Sequence, residues 1–475
     1  MTQYGRRRPG DRVVRHPRQQ ELEPIYVQTP ERARRGNRFD SPFILMYFVG
    51  GLIAISTTLL WLPVSNTSGG FTPFLDALFT ATSAVTVTGL VTLDTATYWN
   101  SFGQIVIFVM MLIGGLGFMS AATYLLIIIT QRISPANQLI MREFLDVGHR
   151  TDAFRIMLQV IPAALIIQVV GFALLLPKFW SVFEPSDATW QAAFLSVSAF
   201  NNAGFNILPE SNSLASFRTE LWVLGITAVL IILGGIGYNV WRDAIRERRF
   251  NRFSLDTRLV LITSAGLWIL GGVVLFASEL TNPETLGQAS FGTQLVDAFF
   301  QTISGRTAGF STIDFSETGQ HTNVFYTGLM FIGGASSSVA GGIKVNTFAV
   351  IVVTVWAAIH GRSHVHTFGK ELPEGQIHRA LAVAFLAIVF IGTISFMLTV
   401  TEKVAYQQLV FETVSAFGTV GLSTGITGEL SPWGKTFIVI AMFVGRLGPL
   451  TMALSLGQRH REAIYRYSQE RVRIG

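Results

Sequence analysis

The chain alternates long apolar stretches with short polar connections. Eight stretches are long enough to cross the hydrocarbon core of a bilayer, which takes about 20 helical residues. They lie near residues 42–62, 102–130, 154–177, 220–241, 258–278, 324–359, 378–400 and 434–456. Within each successive pair comes a further apolar stretch of about ten residues, which is too short to cross. The pattern therefore predicts a unit of span, half-span and span that occurs four times.

Composition supports a membrane location for these units, because 50% of the residues are hydrophobic and only 13% are charged. The pattern predicts an all-α integral membrane protein, with repeats at residues 41–130, 154–241, 257–360 and 377–458. Residues 1–40 are rich in arginine and have no continuous apolar run. They are expected to form a disordered arm that contacts anionic lipid headgroups, or else a solvated extension that only reinforces the topology.

The basic residues of the connections predict the orientation. Lys and Arg are concentrated at residues 131–155, 241–258 and 360–370 and in a tail at 459–475, whereas the opposite connections are acidic or neutral. The positive-inside rule then places both termini in the cytoplasm of a multi-pass plasma membrane protein, in bacteria the inner membrane. The net charge of +6 is explained by this distribution and requires no nucleic-acid partner.

Each half-span leads into a loop of the same design, in which a phenylalanine is followed ten residues later by a glycine. The pairs are Phe79 and Gly89, Phe194 and Gly204, Phe299 and Gly309, and Phe411 and Gly421. Non-helical backbone at membrane depth is tolerated only where it is buried in protein or lines a water-filled path. Four such loops predict one central pore, in which glycine lets backbone carbonyls replace the water shell of a monovalent cation.

Three carboxylates lie in the half-spans, at unequal distances from the loop glycines. Asp76 and Asp297 are interpreted as marking the starts of the half-span helices, where a negative charge is favourable. Glu412 lies deeper in its repeat, and its role is left open between helix start and binding site.

With these loops and spans, the chain resembles the ion-conducting membrane subunit of the Trk/Ktr/HKT superfamily of potassium transporters and is most similar to the KtrB type. The resemblance covers residues of about 40 to 458 and implies four span, pore-helix, span units around one pore, in a fold like that of potassium channels. It also implies a K⁺ selectivity filter, formed by Thr86, Val87, Thr88, Gly89, Asn201, Asn202, Ala203, Gly204, Arg306, Thr307, Ala308, Gly309, Gly418, Thr419, Val420 and Gly421.

Two filter positions carry specific expectations. In plant relatives, a serine in place of the first filter glycine is associated with sodium selectivity, so Gly89 favours potassium. Arg306 departs from the small or polar residues of the other loops, and a cation there would repel K⁺. Its side chain is therefore expected to point behind the loop, into carbonyls or a carboxylate.

A second signature follows each loop and reads IGGLGF (113–118), LGGIGY (233–238), IGGASS (332–337) and VGRLGP (444–449). In the third repeat it opens into a run of small residues, which predicts a break in the sixth span and a mobile gate. The predicted gate comprises Gly333, Gly334, Ala335, Ser336, Ser337, Ser338, Gly341, Gly342, Lys344 and Arg446. Arg446 replaces a glycine of the signature, and it is expected to hydrogen-bond the closed gate or to pair with a buried carboxylate. Lys344 is expected to reach the cytoplasmic side or to contact a regulatory partner.

The expected function is K⁺ uptake down the electrochemical gradient, with Na⁺ or H⁺ coupling left open. The alternatives are a sodium-permeable or poorly selective transporter, and a scaffold or enzyme that reuses the fold. An enzyme is disfavoured because the eight histidines lie in connections or at span ends and the complete phosphate-binding Gly-Lys-Ser/Thr motif is missing. A metal site at His360, His364 and His366 is the weaker interpretation, and K⁺, with Na⁺ left open, is the expected bound species, with no organic cofactor. The resemblance implies a homodimer on a separate cytoplasmic ring that binds nucleotides.

Overall fold

The computed structural model describes residues 43–130, 150–208, 213–336 and 338–448. The predicted arm (1–40), the predicted tail (459–475) and Ser337 lie outside these residues. Within the described ranges the chain forms fourteen α-helices and one short hairpin. The helices are α1 (Phe43–Trp61), α2 (Phe74–Thr86), α3 (Ser101–Thr130), α4 (Arg150–Trp180), α5 (Pro185–Phe200), α6 (Leu221–Ile236), α7 (Tyr238–Glu247), α8 (Leu255–Glu279), α9 (Phe291–Thr307), α10 (Gln320–Met330), α11 (Val345–Ile359), α12 (Glu374–Thr401), α13 (Tyr406–Gly418) and α14 (Pro432–Leu447). The hairpin pairs β1 (His366–Thr367) with β2 (Lys370–Glu371).

Helices occur at all eight predicted spans, but they are not equally long. Among the described residues, Val160–Trp180, α8 and α12 are long and apolar enough to cross a membrane. Together, α6 and α7 pass the same test, although they meet at 96°. The sixth span is interrupted, since α10 ends at Met330 and α11 begins only at Val345.

The order of elements in each repeat is a first helix, a half-span helix and an inner helix. The first helices are α1, α4, α8 and α12, the half-span helices are α2, α5, α9 and α13, and the inner helices are α3, α6, α10 and α14. Each half-span helix packs against helices of its own repeat and also against the inner helix of the repeat before it. These pairs are α2 with α14, α5 with α3, α9 with α6, and α13 with α10. Because the first repeat contacts the fourth, the four units close into a ring.

The core lies around the C-terminal ends of the half-span helices. Every residue is buried from Phe79 to Thr88, from Phe194 to Ala203 and from Phe411 to Val420. The third repeat differs, because Phe299 is 38% exposed whereas the other three phenylalanines are 0% exposed. The interior of the ring is thus formed by the ends of short helices, and the loops that follow them project into it.

Candidate functional site: a ring of four glycine loops

Three of the four half-span helices extend into the stretches that the resemblance assigned to the filter. They end at Thr86, Phe200, Thr307 and Gly418. Of the predicted filter residues, Thr86, Arg306, Thr307 and Gly418 are therefore helical, and the non-helical backbone begins one or more residues later. In three of the four loops a helix cap holds this last turn in place.

Three of the four loops share this cap. Val87, Asn202 and Thr419 adopt the left-handed conformation, with φ of 57°, 55° and 50°. The next amide then reaches back to the helix, and the bonds are Thr88 N to Ser83 O (2.8 Å), Ala203 N to Ser198 O (2.8 Å) and Val420 N to Ser415 O (2.9 Å). This is the bonding of a Schellman motif, which satisfies carbonyls at the end of a helix.

Serine side chains hold two of the glycines. The Oγ of Ser83 accepts from Gly89 N at 3.0 Å, and the Oγ of Ser415 accepts from Gly421 N at 3.1 Å. The third loop lacks both features, since Thr307 stays helical and the amides of Ala308 and Gly309 donate to Ser304 O instead, at 2.7 and 3.0 Å. One loop of the four therefore follows a different path.

The four glycines meet in a closed circuit. A Cβ atom added to any one of them would overlap the carbonyl oxygen that precedes the glycine of the neighbouring loop. The overlaps run from Gly89 to Ala203, from Gly204 to Ala308, from Gly309 to Val420 and from Gly421 to Thr88. All four glycines have positive φ, between 72° and 92°. Glycine is required here both for the backbone angle and for the close approach.

The same glycines are less buried than their neighbours in the chain. Each is half-buried, while the residues on both sides of it, such as Thr88 and Leu90 beside Gly89, are buried. Carbonyl oxygens of four loops thus lie against one ring of glycines, with no acidic side chain among the predicted filter residues. Such a ring of backbone dipoles can coordinate a dehydrated monovalent cation.

Arg306 points away from this ring, as the sequence suggested, but it meets different partners. Its Nη2 lies 3.5 Å from the Ser264 hydroxyl and its guanidinium lies 5.2 Å from the centre of the Trp268 ring, both on α8. Its Nε and Nη1 have no hydrogen-bond partner among the described residues. The expected carbonyls or carboxylate are replaced by an aromatic face, a favourable partner for a cation.

The glycine signature of the inner helices lies directly beneath the ring. A Cβ on Gly114, Gly234 or Gly445 would overlap the carbonyl of Val85, Phe200 or Phe417, which are in the last turns of half-span helices. Three of the four inner helices therefore use this glycine to pack closely against the end of the half-span helix in the same repeat. In the third repeat Gly333 faces the carbonyl of Gly341 instead, so the break in the sixth span replaces this contact.

The interrupted segment, residues 331–344, folds under the ring. Gly341 N donates to the Thr419 hydroxyl of the fourth loop at 3.1 Å. On another side, Ala335 N donates to Gly235 O at 2.9 Å. Gly333 N donates to Ile343 O at 2.8 Å, so the segment closes on itself as a compact loop. This 331–344 loop therefore contacts the second and fourth repeats at the same time.

Arg446 links this loop to the first repeat as well. Its Nη1 donates to Val339 O in the loop and its Nη2 donates to Gly114 O on α3. Both of these acceptors are backbone carbonyls. The Nζ of Lys344 donates to Ala340 O in the loop itself. Two cationic side chains thus bind consecutive carbonyls of one loop.

Polar side chains link the repeats near the starts of the half-span helices, and sequence reasoning missed them. Lys435 forms a 2.7 Å ion pair with Asp76, and Arg218 pairs with Asp297. The other two interfaces carry hydrogen bonds, from Trp190 to Gln104 at 2.9 Å and from Gln407 to Gln320 O at 2.8 Å. The one sequence feature that could have indicated these links is a polar residue near the start of each inner helix.

The two aspartates differ in position. Asp76 lies in the first turn of α2, as interpreted from the sequence, whereas Asp297 lies in the second turn of α9, which begins at Phe291. Asp297 is 0% exposed, and a buried charge needs the partner that Arg218 supplies.

The histidines do not form a metal centre in the described part of the chain. His364 Nδ1 lies 3.0 Å from Glu371 across the β1–β2 hairpin, and both side chains are exposed. No group of three or more potential ligands occurs among the described residues.

Comparison with known proteins identifies chains of similar sequence and fold. The family model described as TrkH, cation transport protein, matches residues 37–463. The Ktr system potassium uptake protein B of Bacillus subtilis is 38% identical, over 92% of this chain and 97% of the relative. The potassium/sodium uptake protein NtpJ of Enterococcus hirae is 36% identical, over 91% and 95%. The crystal structure of the potassium transporter TrkH from Vibrio parahaemolyticus superposes with a TM-score of 0.68, covering 91% of this chain and 86% of that one, at 18% identity.

Proposed function

The chain belongs to the TrkH family of cation transport proteins, which are membrane ion transporters rather than enzymes, and from this premise we propose that it conducts K⁺ into the cell through the ring of four glycine loops. The observation that carries the proposal is the closed circuit of the glycines, each against the carbonyl of the next loop. In this proposal, the carbonyls of Val87 to Gly89, Asn201 to Gly204, Ala308 to Gly309 and Thr419 to Gly421 form the filter. Thr86, Arg306, Thr307 and Gly418 support it from the helix ends.

We further propose that the 331–344 loop is the gate. It lies below the fourth filter loop, it is made mostly of small residues, and Arg446 and Lys344 hold it through backbone carbonyls. Opening the pathway requires these bonds to be exchanged for others. Charge-assisted hydrogen bonds of this kind contribute about 1.5–3 kcal/mol each, which is enough to keep the loop closed most of the time.

Ion flux into proteoliposomes tests the filter. Uptake of Rb⁺, as a stand-in for K⁺, is measured against uptake of Na⁺ for the wild type and Gly89→Ser. A Cβ at Gly89 overlaps Ala203 O and is strained at a φ of 88°, so this variant is expected to lose preference for K⁺. Gly266→Ser is the matched control, since a Cβ at Gly266 on α8 meets nothing within 4 Å. Equal selectivity in Gly89→Ser and Gly266→Ser would contradict the filter assignment.

Deletion of residues 335–340 tests the gate in the same assay. The deletion removes the contacts of Ala335 with the second repeat and of Val339 with Arg446, so flux is expected to rise while the preference for K⁺ remains. If no cation moves even in the deletion variant, the ring is a scaffold and the proposed function fails.

A sodium-permeable transporter is the second candidate. It is favoured by one observation, the name of the Enterococcus hirae relative, a potassium/sodium uptake protein. The wild-type arm of the flux assay separates the two, because comparable uptake of Na⁺ and Rb⁺ supports the second candidate.

For assembly, we propose a homodimer in the plasma membrane with both termini cytoplasmic, bound to a separate nucleotide-binding ring. Two considerations support it: the Bacillus subtilis relative is named as protein B of a potassium uptake system, and the segment at 241–258 is strongly basic. Light scattering on the purified protein measures the mass, and a monomer at working concentration would contradict the dimer.

A further inference from the structure

Helix α8 carries a stripe of exposed apolar side chains that ends in an arginine. The stripe includes Ile262, Ile269 and Val273, which are all exposed although α8 is long and apolar enough to cross a membrane. Exposed apolar residues on such a helix face the hydrocarbon of the bilayer. Residues four apart lie on one face of a helix, so Arg258 continues the stripe one turn before Ile262. The arginine therefore lies on the lipid-facing side, at the end of the span.

Helix α11, which packs against α8, repeats this arrangement. Its exposed stripe includes Val352, Val355 and Ile359. The helix ends at Ile359, and the chain turns so that the amide of Arg362 donates to Ala357 O at 3.0 Å. Arg362 is exposed directly beyond the stripe. Two neighbouring spans thus change from apolar to cationic at their ends on the same side of the membrane.

Two phenylalanines enclose Arg258. Its guanidinium carbon lies 6.0 Å from the centre of the Phe250 ring and 5.9 Å from that of Phe368. Both rings are partly exposed, at 40% and 43%. The Nη2 of Arg258 donates to Asn251 O, and no carboxylate pairs with this arginine among the described residues. The side chain is therefore held in position while its positive charge is left without a counter-charge.

The β1–β2 hairpin connects the two arginines. The Nη1 of Arg362 lies 3.5 Å from the Nε2 of His366 in β1, and Phe368 follows two residues later over Arg258. In residues 249–258 and 360–371, five Lys or Arg residues occur against two acidic residues. One of these two, Glu371, already lies 3.0 Å from His364 Nδ1. The surface at the ends of α8 and α11 is thus both cationic and aromatic.

This combination fits the interface of a membrane better than it fits a protein partner. Aromatic rings are favoured at the depth of the headgroups, and Lys and Arg near the membrane surface are attracted to anionic lipids. A guanidinium also matches the oxygens of a phosphate group in charge and geometry. The cations begin where the lipid-facing stripes end, so a phosphate bound there would have its acyl chains beside exposed apolar side chains.

We propose that Arg258, Arg362, Phe250 and Phe368 form a docking surface for the headgroup of an anionic phospholipid, whose acyl chains lie along the stripe of α8. In the orientation proposed above, this lipid belongs to the cytoplasmic leaflet. The docking surface is separate from the ring of glycine loops and does not depend on ion conduction. Lipid binding is therefore measured without flux, and its failure leaves the transport function untouched.

Native mass spectrometry of the purified, delipidated full-length protein tests the proposal by measuring Kd for phosphatidylglycerol and phosphatidylcholine. The wild type is expected to bind phosphatidylglycerol more tightly. Arg258→Gln is expected to weaken this binding about tenfold, because a charge-assisted hydrogen bond is lost, and to leave phosphatidylcholine binding unchanged. Arg246→Gln is the matched control, since Arg246 is on α7, has a side chain that is 77% exposed and pairs with Glu247.

Each outcome bears on the docking surface. Weakening in Arg258→Gln but not in Arg246→Gln supports it, and if Arg258→Gln does not fold, the same result with Arg362→Gln supports it instead. Equal weakening in Arg246→Gln would indicate unspecific attraction and overturn the proposal, as would equal Kd values of the wild type for the two lipids. Full displacement of phosphatidylglycerol by inorganic phosphate would overturn it in favour of a free-phosphate site. Unchanged binding in both Arg258→Gln and Arg362→Gln would also overturn it and leave this cationic surface to an acidic protein.

Discussion

Lys435, in the first turn of α14, lies 2.7 Å from Asp76, in the first turn of α2. These residues are at opposite ends of the described chain, and their ion pair joins the fourth repeat to the first. The other three interfaces between repeats carry a polar link at the corresponding level. The ring is therefore closed by a specific contact as well as by packing.

Lys435→Met is expected to destabilise the protein by about 2 kcal/mol, because it leaves Asp76 partly buried without its partner. The two side chains are 15% and 13% exposed, so the effect should fall between those of surface and fully buried pairs. Thermal unfolding in detergent measures it. Lys178→Met serves as the control, since its pair with Glu220 is more exposed, at 29% and 38%. A larger loss for Lys178→Met would contradict this ranking.

Gly445→Ala is expected to destabilise the fourth repeat by about 1–3 kcal/mol, the usual cost of overpacking a core. The added Cβ would overlap Phe417 O, and backbone on both sides prevents a cheap adjustment. The same substitution at Gly266 meets no atom within 4 Å and should be neutral or slightly stabilising. Unfolding temperatures of the two variants decide the matter, and equal values would show that the close contact is not required.

Thr419→Val is expected to raise flux without changing the preference for K⁺. The substitution keeps the branched shape but removes the hydroxyl that accepts from Gly341 N at 3.1 Å. Loss of one hydrogen bond costs about 1 kcal/mol, which corresponds to an increase of about fivefold in the open population. Thr413→Val is the control, because the Thr413 hydroxyl bonds only within its own helix, to Leu409 O at 2.7 Å. Unchanged flux in Thr419→Val would show that this hydrogen bond does not hold the proposed gate closed.

Arg446→Gln and Arg446→Lys together separate charge from hydrogen bonding. Glutamine should raise flux, since it cannot donate to Val339 O and Gly114 O with the same fork of N–H groups. Lysine keeps the charge but not the fork. If Arg446→Lys conducts as freely as Arg446→Gln, the hydrogen bonds hold the gate; if it stays as closed as the wild type, the charge is the barrier.

Asp243, on the polar helix α7, offers a test by pH. Partial burial opposes its ionisation, but hydrogen bonds from Ser254 N (3.2 Å) and the Thr257 hydroxyl (2.7 Å) outweigh it and lower the pKa of Asp243 below its ordinary 3.8. The carboxylate therefore contributes stability above that value, and the contribution is lost as pH falls through the lowered pKa. Asp243→Asn should show a smaller drop in unfolding temperature between pH 5 and pH 3 than the wild type, by about one degree or more. An equal drop in unfolding temperature for the wild type and Asp243→Asn would show that these hydrogen bonds do not stabilise the fold.

Much of the fold follows from local sequence. The apolar stretches predict the helices, because a membrane requires satisfied backbone along each span. The small residues from Gly333 onward predict the interruption between α10 and α11, since they cannot sustain a helix. The same Phe-to-Gly spacing in four places predicts loops of one design, and the structure brings their glycines together.

The remaining features depend on contacts between distant residues. Nothing near Asp297 in the chain indicates that Arg218, from the preceding repeat, is its partner. Arg306 was expected to meet carbonyls or a carboxylate, but its neighbour is Trp268, which faces it only because α8 packs against α9. The sequence likewise did not indicate that Thr307, two residues before Gly309, would be helical.

Only one of the four repeats carries an arginine at the position of Arg446, and the other three carry glycine there. In a pore built from four identical subunits, any residue near the axis occurs four times, and four guanidinium groups at that depth would repel one another. A single chain with four unequal repeats avoids this constraint. The fourth repeat supplies the arginine, the third supplies the interrupted helix, and the first supplies the carbonyl of Gly114 that completes the contact. Covalent linkage of the repeats thus permits a one-sided set of contacts on an approximately fourfold frame.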